Sequence, residues 1–244
     1  MKNKRHKIST IIVTSLFVLM VLGVFASNLV LKDVYSKIDK GDLYWNYDRV
    51  LEQPFKHLKI NGGNITNIVF EQNPKSSVRV LSDWDRYKKD ETFTAAVKND
   101  TLYINFPNKY SNEGEHIWMS RQVLVRLFAP KLLSINGANT NLLLEKLDQP
   151  YINANMRGKS RLAIESNNRN FTSVNINQAD SSQTLLKMSP ELNGTKNIHI
   201  QNLSASLKDY TLLDVGHGYA DKLNLSIADS SAIILSGKSL KAMH

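Results

Sequence analysis

Two four-residue segments hold the side chains best suited to chemistry. Ala179-Asp180-Ser181-Ser182 and Ala228-Asp229-Ser230-Ser231 each set a carboxylate ahead of two hydroxyls. Paired carboxylates on one face are what glycan cleavage needs, one acting as acid and the other as base or nucleophile. The recurrence also suits a structural role, because an Asp side chain at a chain corner accepts backbone N–H groups. The structural role is the favoured expectation. Asp83-Trp84-Asp85 offers two acids for calcium and an indole for a sugar ring, although an ordinary loop with Trp84 half buried is the plainer expectation. Trp84, Asp180 and Asp229 are therefore candidates for a ligand-binding surface.

No catalytic, cofactor or metal site is expected. Six histidines are spread along the chain (His6, His57, His116, His199, His217 and His244), and none forms an HxH or HxxxH pair. Glu113-Gly114-Glu115-His116 is the nearest approach to a metal cluster and reads as a solvated loop. Asp214-Val215-Gly216-His217-Gly218 puts a carboxylate near an imidazole, but a nucleophile–base arrangement also needs a serine, and the Gly-x-Ser-x-Gly elbow is absent. Gly62-Gly63 has neither the spacing nor the following helix of a phosphate loop.

The whole-chain numbers narrow the setting. The chain has 244 residues, no cysteine, 42% hydrophobic and 22% charged residues, and a formal net charge of +9. That composition is globular and excludes wholesale disorder. Without cysteine there are no disulfides, thiolate metal sites or cysteine nucleophiles, and no lipoprotein anchor at a cleavage cysteine. The excess charge is not a nucleic-acid footprint, which would gather on one face. Lys2, Lys4, Arg5 and Lys7 supply nearly half of it, and the run Arg86-Tyr87-Lys88-Lys89 is answered by Asp83, Asp85, Asp90 and Glu91.

The basic head, residues 1–10, precedes an uncharged apolar run, residues 11–31. At about 1.5 Å per residue such a helix crosses a bilayer core of roughly 30 Å. Basic residues stay cytoplasmic, so residues 32–244 are expected on the periplasmic or extracellular side. An uncleaved signal anchor is favoured over a cleaved signal peptide, because apolar residues continue past Val24-Phe25-Ala26 to Leu31. The lipid bilayer is thus the first expected partner. Residues 32–54 read as a juxtamembrane tether. Tyr44, Trp45 and Tyr47 either sit at the interface or pack on the first strands.

From Pro54 the pattern is β. Phe55–Ile60 alternates with period two, Asn61-Gly62-Gly63-Asn64 marks a turn, and Lys98-Asn99-Asp100 is a hairpin-like signal between Thr92–Val97 and Thr101–Phe106. Residues 55–131 are expected to be irregular β structure. Residues 132–240 carry weak repeats: short β runs beginning at Ile135, Ile152, Val174, Ile198 and Leu223 recur at steps of 17, 22, 24 and 25 residues, each followed by a small polar corner and a second β run. Periods of this kind suggest coils that share one core when stacked. Stacked Asn or Ser at equivalent corners would form side-chain ladders. The expected fold is all-β, a right-handed parallel β-helix or β-solenoid behind an N-terminal transmembrane helix, with a β-sandwich as the rival.

The order of these parts resembles the "putative auto-transporter adhesin head GIN domain" family of Bacteroidetes-type bacteria over roughly residues 55–235. The resemblance rests on an N-terminal signal or anchor, Phe55–Ile60 leading into Asn61-Gly62-Gly63, the segment Lys98–Ile104, and the repeated corners Gly137–Thr140, Arg157–Ser160, Ala179–Ser182, Leu203–Ser206 and Ala228–Ser231. These corners are poorer in glycine than the Ser-Gly-Gly-Ser-like corners typical of the family, which marks a divergent member. The resemblance implies a right-handed β-helix outside the cytoplasm and brings no catalytic residues. The expected function is non-catalytic binding, adhesion or scaffolding in the envelope, with a glycan or protein ligand. The alternatives are a carbohydrate-active enzyme and a one-span envelope-stress sensor or regulatory partner.

Overall fold

The structure is a computed structural model and describes residues 2–64, 66–82, 93–106, 123–167, 170–188, 198–216 and 218–241. The chain divides into two compact units, Met1–Trp45 and Asn46–His244.

The first unit is built on helix α1, Lys2–Lys37. Its apolar stretch Ile8–Lys37 is long enough to cross a membrane, at roughly 45 Å for thirty helical residues. The side chains from Ile8 to Tyr35 stand exposed all round, as on a helix made for an apolar solvent. The helix runs six residues beyond the expected span, and its last turn is tied by a 2.6 Å ion pair between Lys37 and Asp33.

The second unit is β. Strand β1 (Tyr47–Leu51) falls inside the stretch read as tether. Then follow β2 (His57–Asn61), β3 (Asn67–Gln72), β4 (Ser77–Leu81), β5 (Thr94–Lys98), β6 (Thr101–Asn105) and β7 (Val123–Ala129). The second half has β8 (Ser134–Ala138), β9 (Asn141–Leu147), β10 (Tyr151–Arg157), β11 (Arg161–Ser166), β12 (Asn170–Gln178) and β13 (Gln183–Met188). It closes with β14 (His199–Leu207), β15 (Leu212–Asp214), β16 (Tyr219–Ile227), β17 (Ala232–Ile234) and a one-turn helix α2 (Gly237–Leu240). One sheet has nine strands in the order β1-β4-β7-β3-β9-β11-β13-β15-β17; the other has eight, β16-β14-β12-β10-β8-β2-β6-β5.

This architecture, two mixed sheets, corrects the expected right-handed parallel β-helix or β-solenoid. Both sheets are mixed: β1–β4, β4–β7 and β5–β6 pair antiparallel. The reason is local. Asn99 and Asp100 take φ of 50° and 56°, the left-handed pair of a tight hairpin, and fold β6 straight back on β5. Two parallel strands cannot be joined by so short a turn. In the other sheet β4 lies between β1 and β7 and runs against both.

From β8 onward the chain passes alternately between the two sheets, and the repeats fall on β8, β10, β12, β14 and β16, successive neighbours in the eight-stranded sheet. Register there stacks apolar residues across strands. One row runs Leu102, Leu58, Ile135, Ala154, Ile176, Ala205 and Leu225. Large residues alternate with alanine in its middle, which lets the facing sheet interdigitate. A second row includes Ile104, Ile60, Gly137 and Met156, where a Cβ on Gly137 would come within 2.8 Å of Thr140 Cγ2. Both sheets feed one core, with Phe70, Phe171, Leu58, Ile60, Ile68, Leu127 and Leu144 among its fully buried members.

Candidate functional site: the outer face of the eight-stranded sheet

Alternation along a strand that buries one face commits the other face to water. In β10, Ile152, Ala154 and Met156 are buried, and Asn153 and Asn155 are exposed. The same alternation in β8, β12, β14 and β16 lays out two rows of amides and hydroxyls. One row is Asn136, Asn155, Asn177, Ser206 and Ser226. Beside it Asn153, Asn175, Ser204 and Asn224 are consecutive partners, and Ser134 of β8 stands in line with them. None of these ten side chains is charged.

Asn136, Asn155 and Asn177 form a ladder. Asn155 Nδ2 donates to Asn136 Oδ1 at 3.0 Å, and Asn177 Nδ2 donates to Asn155 Oδ1 at 2.8 Å. The bonds point one way, so the amide dipoles are aligned along the row. They leave free the second N–H of Asn155 and of Asn177, both N–H of Asn136 and the carbonyl of Asn177.

Polar and aromatic side chains bound the face. On the β2–β6 side, Lys59 Nζ lies 5.6 Å from the Tyr103 ring centre and His57 Nδ1 meets Ser134 Oγ at 2.7 Å. At the far edge His199 Nε2 is 2.7 Å from Asp221 Oδ2, its ring stacks on Tyr219 at 4.8 Å, and Lys238 Nζ sits 3.4 Å from the Tyr219 centroid. The other sheet differs. Arg126 Nη1 lies 3.4 Å from Glu145 and 4.0 Å from Glu71, its guanidinium 5.6 Å from the Tyr47 ring centre. Desolvation pushes the Arg161 guanidinium below its ordinary range.

The candidates singled out from sequence fall elsewhere. Trp84 lies outside the described residues, as do Glu113–His116 and His217. Asp180 and Asp229 follow β12 and β16, at the corners where the chain leaves this sheet. Asp180 has φ 61° and accepts the Gly158 N–H at 3.3 Å. Around it Lys159 N–H donates to Asn139 Oδ1 at 3.0 Å, and the Tyr210 and Thr211 N–H groups donate to Ser230 and Ser231 Oγ at 3.3 and 3.4 Å. These side chains satisfy turn backbone that neighbouring strands cannot reach. Asp214 does the same, taking the Gly216 N–H at 2.8 Å.

Gly158 shows how tightly the corner is made. Its φ is 66°, and an added Cβ would collide with the Asn139 carboxamide that caps Lys159. Gly158→Ala is therefore expected to lower unfolding free energy by about 1–3 kcal/mol through backbone strain and the lost cap. Denaturant unfolding of the variant beside Lys159→Ala, which keeps the glycine, checks this.

Sequence reading missed the face ladder and the His57–Ser134 and His199–Asp221 pairs. The alternation Ile152-Asn153-Ala154-Asn155-Met156, repeated in Val174-Asn175-Ile176-Asn177, carried the signal for the ladder. The corners, where the repeats suggest a ladder, do not hold this one; it lies on strands.

No protein-family model matches the chain, and no curated protein matches it significantly. Solved structures do match. A protein from Bacteroides fragilis NCTC 9343 described as a "putative adhesin" is 12% identical over 78% of this chain and 96% of its own, with a TM-score of 0.41. A "putative adhesin" from Parabacteroides distasonis ATCC 8503 is 11% identical over 78% and 94%, with a TM-score of 0.37. A "Putative lipid binding protein" from the same strain is 10% identical over 78% and 96%, with a TM-score of 0.29.

Proposed function

We propose that this chain is a membrane-anchored, non-catalytic binding protein whose β body works outside the cytoplasm, on a component of the cell envelope. The supporting observation is the pairing of two features in one chain: an apolar helix behind a basic head, and a β body with one broad sheet face of ordered, uncharged polar groups. The basic head sets the orientation, with residues 1–10 cytoplasmic and the body across the membrane. One of the two carboxylates that a glycan-cleaving enzyme would use is engaged differently here. Asp180 is bonded to backbone, and that favours binding over turnover.

Orientation is tested in cells. The natural chain has no cysteine, so Ser226→Cys creates a unique thiol on an exposed strand position. A membrane-impermeant maleimide is expected to label it in intact spheroplasts as fully as after lysis. Labelling only after lysis would put the body in the cytoplasm and end this reading. Binding is tested with the full chain in nanodiscs against purified, fractionated envelope, with glycan and protein retained separately. Saturable retention of either class supports the reading, and turnover of a retained glycan overturns it.

A further inference from the structure

We propose that the two outer rows of the eight-stranded sheet bind an extended, neutral glycan lying across the strands, along the ladder Asn136–Asn155–Asn177. This rests on the reading of the body as a binding module and names its site and ligand class. The charge pattern selects the ligand. Over β8 to β16 the two rows present only amides and hydroxyls, while charged and titratable groups stand at their margins: Lys59 and His57 on one side, Lys222, His199 and Asp221 on the other, and Arg157 one outward position beyond Asn155 on β10. Nucleic acid and acidic polysaccharide require a concentration of positive charge that this field lacks. Lipid chains require apolar area that it also lacks.

A neutral glycan matches it group for group. Sugar hydroxyls and acetamido groups both donate and accept, as do the Asn carboxamides and Ser hydroxyls. The pattern also repeats at a suitable interval. Neighbouring strands stand about 4.8 Å apart, comparable to the step from ring to ring in an extended pyranose chain. Each strand therefore offers one amide or hydroxyl per row to each successive sugar. The ladder fixes the three amides beforehand, which lowers the ordering cost of binding. Half-buried Tyr103, next to Lys59 in the row with the Lys59 ammonium over its ring, closes the field at the β6 end.

The experiment uses the full chain in nanodiscs and four soluble probes: N-acetylglucosamine hexamer, cellohexaose, oligogalacturonate and a heparin hexamer. Calorimetric titration is expected to detect one or both neutral hexamers and to leave their affinity unchanged between low and high salt. Asn155→Ala removes both ladder bonds and Asn175→Ala removes the neighbouring amide. Each is expected to weaken neutral binding at least ten-fold. Both positions face water, so the fold is retained, and circular dichroism with an unchanged melting point confirms it. Asn177→Asp is the third variant, placing a charge in the row without shortening the side chain, and it should weaken binding similarly. Preference for the acidic probes with strong salt dependence overturns the proposal. So does neutral binding that survives all three variants, or the absence of any neutral binding. If the same preparation still retains an envelope protein when the neutral glycans fail, the binding-module reading stands and only this site is lost.

Discussion

Phe171→Ala is expected to cost the body about 3–5 kcal/mol, the range for emptying a large aromatic position in a packed core. Phe171 lies on β12 with none of its surface exposed, and its row continues through Ile200 on β14 to Ala220 on β16. The side chains shrink along that row, so nothing beside Phe171 is large enough to fill the space it vacates. Ala220 is itself fixed, because its N–H donates to Ser239 Oγ of α2 at 3.0 Å. Phe171→Leu keeps most of the volume and should cost about 1–2 kcal/mol. Thr172→Ala, on the exposed neighbour, should stay within about 0.5 kcal/mol. Urea unfolding of the full chain in detergent micelles, followed by tryptophan fluorescence, measures all three. A Phe171→Ala loss below about 1 kcal/mol would mean that the β12–β14–β16 end is not packed as described. The polar face would then lose its rigid backing, since Asn175 and Asn177 stand on the same strand four and six residues on.

Much of the strand content was legible because alternation is a direct physical record of one wet face and one dry face. Tyr151–Arg157 and Val174–Gln178 announce themselves by Ile/Val/Met against Asn, and the hairpin at Asn99-Asp100 by residues that tolerate positive φ. Strand direction was not legible, because period two is the same in parallel and antiparallel ladders. The repeats after residue 132 point to parallel coils, and nothing in Ser77–Leu81, within the stretch expected to be irregular β structure, says that this strand runs antiparallel between β1 and β7. The site was half legible for a related reason. Asn155 and Asn136 are 19 residues apart, and Asn177 and Asn155 are 22 apart. Corners of different length separate them, so a fixed period cannot align them. Only the cross-strand register does. Asp180 and Asp229 stood out because the tetrapeptide around them repeats, and repetition of a corner reports on backbone geometry before it reports on chemistry.

Gln149→Ala is the second large effect, and it tests how the start of β10 is held. Gln149 is 6% exposed, between β9 and β10. Its carboxamide works as a substitute strand: Oε1 accepts the Leu132 N–H at 3.0 Å, and Nε2 donates to Leu132 O at 2.8 Å and to Tyr151 O at 2.6 Å. Truncation leaves three backbone groups without these partners in a place where water does not readily replace them. An unsatisfied buried group costs about 1–3 kcal/mol, so a loss of about 3–4 kcal/mol is expected for the three together. Gln149→Leu separates hydrogen bonding from packing. It keeps the volume and loses every bond, so it should be nearly as destabilising as alanine. If leucine restores wild-type stability, the carboxamide only fills space. Hydrogen exchange adds the spatial reading. Both variants should speed exchange at Leu132 and Asn136 more than at Leu212 on β15. Loosening there reaches the ligand face directly, because Asn136 and Asn155 must keep their strands in register for the ladder to close. Neutral-glycan affinity should therefore fall in Gln149→Leu although Gln149 never meets the ligand.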